Sequence, residues 1–276
     1  MIVPSARALA LAAIIVCACG LHAADREAAV TLDPAGHSWQ VVLTGGEYDH
    51  AGHLRNAGVC VRSLCGETVW SEFPSSLHPW MVRSGRFAGQ PVVLVGVRKP
   101  AIFDPVERAR PFLYSVELGG DGLRKVWLGT SLSRPFENAD FGDLDGQDED
   151  ELMAVERTFA GGWELAAYRW RGFGVEGIAR SQAILRPEGL RCADVWPGAG
   201  EEAVVLRRDG PRWRFEAFAL VADDLVPACT VVATVTRGDV GWELVAGGGG
   251  KPGGVRLSRP GFSRELSFRP ITNGQN

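Results

Sequence analysis

Seven carboxylates crowd the twelve residues from Asp140 to Glu151, and an apolar run, Leu152-Met-Ala-Val155, follows at once. The formal charge of the whole chain is only -4, so the rest of the protein is net positive. So much acid on one loop is repulsive unless something positive sits among it. Side-chain oxygens at Asp143, Asp145 and Gln147 recur at every second residue, with Glu149 and Glu151 next in the series. A tight loop of that spacing wraps a hard cation in six or more oxygens, and calcium suits it. The competing expectation is a solvated acidic turn with no ligand.

The segment Gly142-Asp143-Leu144-Asp145-Gly146-Gln147-Asp148-Glu149-Asp150-Glu151-Leu152 resembles the calcium loop of FG-GAP/VCBS-type repeats, the blades of integrin-like β-propellers. By that resemblance, Asp143, Asp145 and Gln147 offer side-chain oxygens, Glu149 its backbone carbonyl and Glu151 a carboxylate. Gln147 stands where an acid is usual, which removes a charge. Asp148 stands where glycine is usual, which leaves a non-glycine residue to take φ > 0. The resemblance therefore implies a weak, structural Ca2+ site, toward the millimolar end of such loops.

Other chemistry-bearing residues are sparser. His50 and His53, with Glu47 and Asp49, form a polar run in which two histidines three apart need a third ligand to hold a transition metal. A surface loop is the simpler expectation. Gly247-Gly-Gly-Gly-Lys251 has the glycines of a phosphate loop, but Pro252 replaces the required Ser/Thr, so a hairpin connection is expected. No Gly-x-Ser-x-Gly elbow is present, and no catalytic residue is nominated. No basic patch is interleaved with aromatics, which sets nucleic acid aside.

The first nineteen residues have the grammar of a lipoprotein signal. Arg7 precedes an apolar run, and Val16-Cys-Ala-Cys19 resembles a bacterial lipobox with Cys19 as the lipidated residue. Cleavage near Ala23 or Ala24 is the alternative. Residues 20–29 are expected as a linker, 30–272 as one domain and 273–276 as a tail. Export makes the four remaining cysteines, Cys60, Cys65, Cys192 and Cys229, disulfide candidates. Cys60 with Cys65 would close a local loop, leaving Cys192 to Cys229. Three pairings remain open.

The elements that must position the acidic loop are strands. Gly is high at 35, and short apolar runs alternate with turn residues. Strand-like segments cover Trp39 to Leu43, Gly58 to Arg62, Thr68 to Glu72, Phe112 to Leu118, Leu123 to Leu128, Trp163 to Arg171, Phe173 to Arg180, Arg212 to Leu220 and Phe262 to Phe268. Sliding the acidic loop along by 51 residues lays Asp143-Leu on Asp194-Val and Glu151-Leu-Met-Ala-Val on Glu202-Ala-Val-Val-Leu. Trp196 and Gly198 replace two of the ligand positions there. Fainter copies start at Gly85 and Gly238. A period of about 50 residues matches one four-stranded propeller blade. The fold expected is all-β, a propeller of about five blades, incomplete or degenerate in part, with the apolar strand after each turn innermost. A β-sandwich is the alternative.

The expected function follows. The chain is read as an exported, non-catalytic, calcium-binding propeller at the outer membrane or in the periplasm or extracellular space. Its partner would be an envelope or extracellular protein, or a glycan, with the membrane met only through the lipid anchor. The alternative is a glycosidase on a five-bladed propeller, using carboxylates such as Glu47, Asp104, Asp194 or Asp239.

Overall fold

Alternation of apolar and polar residues along most segments yields strands joined by short turns, and the computed structural model of the chain is all-β. It describes residues 27–271 apart from 32–37, 51–52, 64–66, 102–103, 118–121, 130–131, 236–240, 249 and 260–261. Cys19 with the rest of the signal segment, Cys65, Asp239 and the tail lie outside the described residues. Residues 27–29, expected as linker, open the first strand.

The strands fall into antiparallel sheets in chain order. The first sheet is β1 (Glu27–Thr31), β2 (Ser38–Tyr48), β3 (Leu54–Ser63) and β4 (Thr68–Trp70). The second is β5 (Met81–Phe87), β6 (Gln90–Ala101), β7 (Asp104–Glu117) and β8 (Gly122–Leu128). The third is β9 (Phe136–Gly142), β10 (Glu151–Arg157), β11 (Trp163–Trp170) and β12 (Val175–Ser181). The fourth is β13 (Gly189–Ala193), β14 (Glu202–Asp209), β15 (Arg212–Val221) and β16 (Asp224–Thr234). A two-residue parallel pairing, Arg180 to Asp224 and Ser181 to Leu225, joins the third and fourth at β12 and β16, so that with β20 they form one continuous nine-stranded sheet. The fifth has three strands, β17 (Gly241–Val245), β18 (Gly254–Arg259) and β19 (Phe262–Ser267), before β20 (Arg269–Pro270) crosses back to pair with β16.

Side chains of a strand alternate between its two faces, and here each face meets a different neighbour. On β6, Val93, Val95 and Val97 pack with the first sheet, while Val92 and Leu94 pack with the third. On β10, Leu152 and Ala154 face the second sheet, while Met153 and Val155 face the fourth. On β14, Ala203 and Val205 face the third sheet, while Val204 and Leu206 face the fifth. Burial on both faces explains why these segments read as unbroken apolar runs.

Two expectations need correction. The apolar strand is the second of its sheet, not the innermost. The strands that meet across sheets are the first ones: β1 touches β5, β5 touches β9, β9 touches β13, and β13 touches β17. They are short and interrupted by polar side chains, so they carry a weaker apolar signal. The faint copy that starts at Gly238 also lays Leu244 on Leu152, and so predicts an equivalent place for it. It stands on β17, a first strand, where it pairs with Val255 of β18. The residues that face forward to the next sheet are Val92, Met153 and Val204. Leu152, Ala203 and Val255 face back.

A candidate ligand site at the acidic turn

The acidic residues occupy the turn from 143 to 150, between β9 and β10. The turn is closed by its own carboxylates. Asp143 accepts the backbone N–H of Gln147 at 2.8 Å on one oxygen and that of Asp148 at 3.0 Å on the other. Asp145 accepts the Gln147 N–H as well, at 3.1 Å. Gly146 and Asp148 take φ of 71° and 66°. The left-handed backbone expected of Asp148 is thus present, and aspartate tolerates it better than most side chains.

Of the five expected ligands, the structure links Asp145 to Glu151 through one guanidinium and Asp143 to Asp145 through the Gln147 N–H, and no three of them converge. Asp143 and Asp145 are half-buried, and Glu151 is 1% exposed at the head of β10. Gln147 and Glu149 are exposed, and it is the backbone of Gln147, rather than its side chain, that the aspartates hold. The positive charge that the loop demands is a guanidinium. Arg169, on β11, donates to Glu151 through Nε at 3.1 Å and Nη2 at 2.9 Å, and Nη2 also binds Asp145. The other Glu151 oxygen accepts the Leu144 N–H at 3.1 Å. Burial nonetheless raises the Glu151 pKa, the Arg169 bond opposing it. Among the described residues, no three acid, His or Cys side chains converge as a ready-made metal cage. A calcium ion taking Asp143, Asp145 and Glu151 would have to displace Arg169 from two of them.

The turn at 194–201 repeats this construction. Glu202 accepts the Val195 N–H at 3.0 Å and the Trp196 N–H at 2.9 Å, as Glu151 accepts Leu144. The 51-residue offset found in the sequence is therefore an equivalence of hydrogen bonds, kept where the ligand positions are lost.

These turns also stitch sheet to sheet. The Arg86 N–H of the second sheet donates to Asp150 at 2.7 Å, and the Asp150 N–H returns to the Arg86 carbonyl at 3.2 Å. Glu201 N–H reaches the Asp143 carbonyl at 2.8 Å, and Gly253 N–H reaches the Val195 carbonyl at 2.7 Å. Asp140 on β9 lies 3.6 Å from Arg83 of β5 and accepts the Cys192 N–H of β13 at 3.0 Å. Asp140 and Asp150 are thus joints between sheets, a role their sequence neighbours do not reveal. Close approach depends on glycine at Gly146, where a Cβ would lie 1.9 Å from the Ala199 carbonyl oxygen.

Beside the turns, between the third and fourth sheets, lies a cleft of about 770 Å³. Asp145, Arg169, Arg171, Glu176, Trp196 and Glu201 line it. Burial, reinforced by nearby Asp150, pushes the Glu201 pKa up to about 7. Burial, helped by the negative charge of Asp194, pushes Glu202 up to about 7 against its two backbone donors. The cleft therefore combines fixed charges of both signs with a carboxylate poised near neutrality.

The remaining candidates separate. The β2–β3 hairpin carrying His53 shares a cavity with Arg98 at the far end of β6, at the opposite end of the molecule. The length of seven-residue β9 stands between that end and the acidic turn, roughly 20 Å. Glu47, close to that hairpin, and Asp104, at the start of β7, belong to that far end, whereas Asp194 bonds to Gly247 beside the acidic turn. Asp194 therefore lies at the other end of the molecule from Glu47 and Asp104. Gly247 to Lys251 is the hairpin connection expected, between β17 and β18.

Cys192 and Cys229 are free thiols, as is Cys60. Cys192 is on β13 and Cys229 on β16, with β14 and β15 between them. Three strand spacings amount to about 14 Å, twice what a disulfide spans. Burial pushes the Cys229 thiol up to about 12 and raises Cys192 well above its ordinary value, so both stay protonated and inert. Sequence inspection missed Arg169, Glu201 and Asp150. The excess of acid signalled that a cation must be present, but not which residue supplied it.

No family model matches this chain, and no curated protein matches it.

Proposed function

We propose that the chain is an exported, non-catalytic β-propeller of the FG-GAP/VCBS type that binds an envelope or extracellular protein or a glycan. The observation that carries the proposal is the stacking of five antiparallel strand groups in chain order, with first strands side by side and β6, β10 and β14 covered on both faces. A propeller would close that order into a ring by packing the fifth sheet on the first. The cleft between the third and fourth sheets supplies a concave, mixed-charge surface with Trp196 on its wall, the combination that sugar and peptide ligands favour. Calcium enters as a weak structural ligand that competes with Arg169 for Asp145 and Glu151. Residues 1–19 direct export and Cys19 carries the anchor, a proposal that rests on their sequence.

A glycan array and a pull-down from envelope extract, each run with calcium and with chelator, test this function beside a screen for glycoside hydrolysis. Retention of a glycan or protein by the wild type, weakened by Trp196→Ala, is expected. Turnover abolished by a single carboxylate substitution would replace the binding role with an enzymatic one.

A further inference from the structure

A second cavity, about 300 Å³, opens at the end of the molecule away from the acidic turn. Three sheets meet there. His53 comes from the β2–β3 hairpin, Arg98 from β6, Glu107 and Arg108 from β7, Glu137 from β9 and Arg157 from β10. Both carboxylates already hold partners. Glu137 accepts from Arg157 at 3.1 and 2.9 Å, and Glu107 accepts from Arg55 at 2.5 Å. Arg55 in turn holds Asp49 at 2.9 Å.

Arg98 is different. Its guanidinium lies over the Trp80 ring, 5.2 Å from the centroid, and its buried Nε has no hydrogen-bond partner among the described residues. A desolvated donor left unpaired is costly, and a charged one more so. Stacking on an aromatic face leaves the edge of the guanidinium, with its N–H groups, free to meet a ligand. Arg98, Arg108 and Arg157 outnumber Glu107 and Glu137 by one on the cavity wall, and Arg55 and Asp49 behind it cancel. His53 is held below its ordinary 6.5 by burial and by Arg98, so it is neutral at pH 7 and adds no charge.

We propose that this cavity is a binding site for a small monocarboxylate, with the carboxylate seated on Arg98. One negative charge neutralises the wall and offsets the desolvation of the Arg98 guanidinium. A phosphate dianion carries a second charge, which Glu107 and Glu137 repel. The planar guanidinium edge also matches a carboxylate in two parallel bonds. This site is independent of the cleft and of calcium.

Calorimetry on the full chain at fixed ionic strength tests it, with sodium glucuronate and acetate as probes and inorganic phosphate and glucose as controls. Glucuronate or acetate is expected to bind, while phosphate and glucose are not. Arg98→Gln, checked for an unchanged thermal midpoint, weakens carboxylate binding at least tenfold. Glu137→Gln raises the wall charge by one and frees Arg157, so it gains phosphate binding. No heat with either carboxylate overturns the proposal. So does wild-type affinity for phosphate equal to that for glucuronate, or Arg98→Gln that binds unchanged.

Discussion

Arg169 is the residue on which the acidic turn depends. Its guanidinium satisfies one oxygen of Glu151, a side chain almost wholly buried, and holds Asp145 as well. Removing one partner of such a pair leaves a buried charge without compensation. Arg169→Ala is therefore expected to lower stability by about 2 kcal/mol in chelator, a figure discounted because Arg169 itself is a third exposed. Added calcium should restore part of that loss in the variant and little in the wild type. Thermal unfolding with and without millimolar calcium measures both. Equal calcium responses would remove the metal from the turn.

Glu202 gives a second prediction at this scale, with the sign set by its raised pKa. Its carboxyl titrates at about 7 when folded against about 4.5 when unfolded. Between those values the folded state holds the extra proton. Its stabilising contribution is complete below pH 4.5 and is lost as pH rises through 7. Denaturant unfolding at pH 5 and pH 8 should show wild type losing about 2 kcal/mol more across that range than Glu202→Gln does. Parallel pH dependence in the two proteins would assign the proton elsewhere.

At the level of elements, the turns are connectors between sheets as much as reversals of the chain. Gly146 lets the 143–150 turn settle against the turn at 194–201. Gly146→Ala places a methyl within 1.9 Å of a backbone oxygen and strains φ of 71°. The turns must part, and a loss of about 2–4 kcal/mol is expected by chemical denaturation. Gly161, with a similar φ but open space around it, provides the control; Gly161→Ala should cost about 1 kcal/mol from backbone strain. Strand identity was legible because the alternation of side chains is local. β8, β11, β12, β15 and β19 run close to the segments read from sequence. The order within each sheet was less so. β9 and β13 carry Asp140 and Cys192 on surfaces that face other first strands, and short polar-interrupted strands leave little periodic signal.

For the whole molecule, no sheet has a private core. The fourth sheet buries Val204, Leu206 and Phe215 only because Val255, Leu257 and Trp242 of the fifth lie over them. β20 adds a clasp from the end of the fifth sheet to β16 of the fourth. A chain ending at Val235 would expose that face. It is expected to unfold well below the full-length protein and to bind a hydrophobic dye, as a chain with unpacked apolar surface does. A truncated chain with an unchanged thermal midpoint would show that the sheets fold independently.

The amino-acid order by itself determined the strands, the 51-residue offset and the left-handed position at Asp148, because alternation, turn residues and side-chain tolerance act over a few neighbours. It also demanded a positive charge near the acidic turn. Only the tertiary structure decided that Arg169 answers that demand, that Asp140 and Asp150 join sheets, and that Cys192 and Cys229 stand too far apart to bond. Those outcomes depend on which strand lies beside which. That arrangement comes from covering both faces of β6, β10 and β14 at once, a condition that no local stretch of sequence contains.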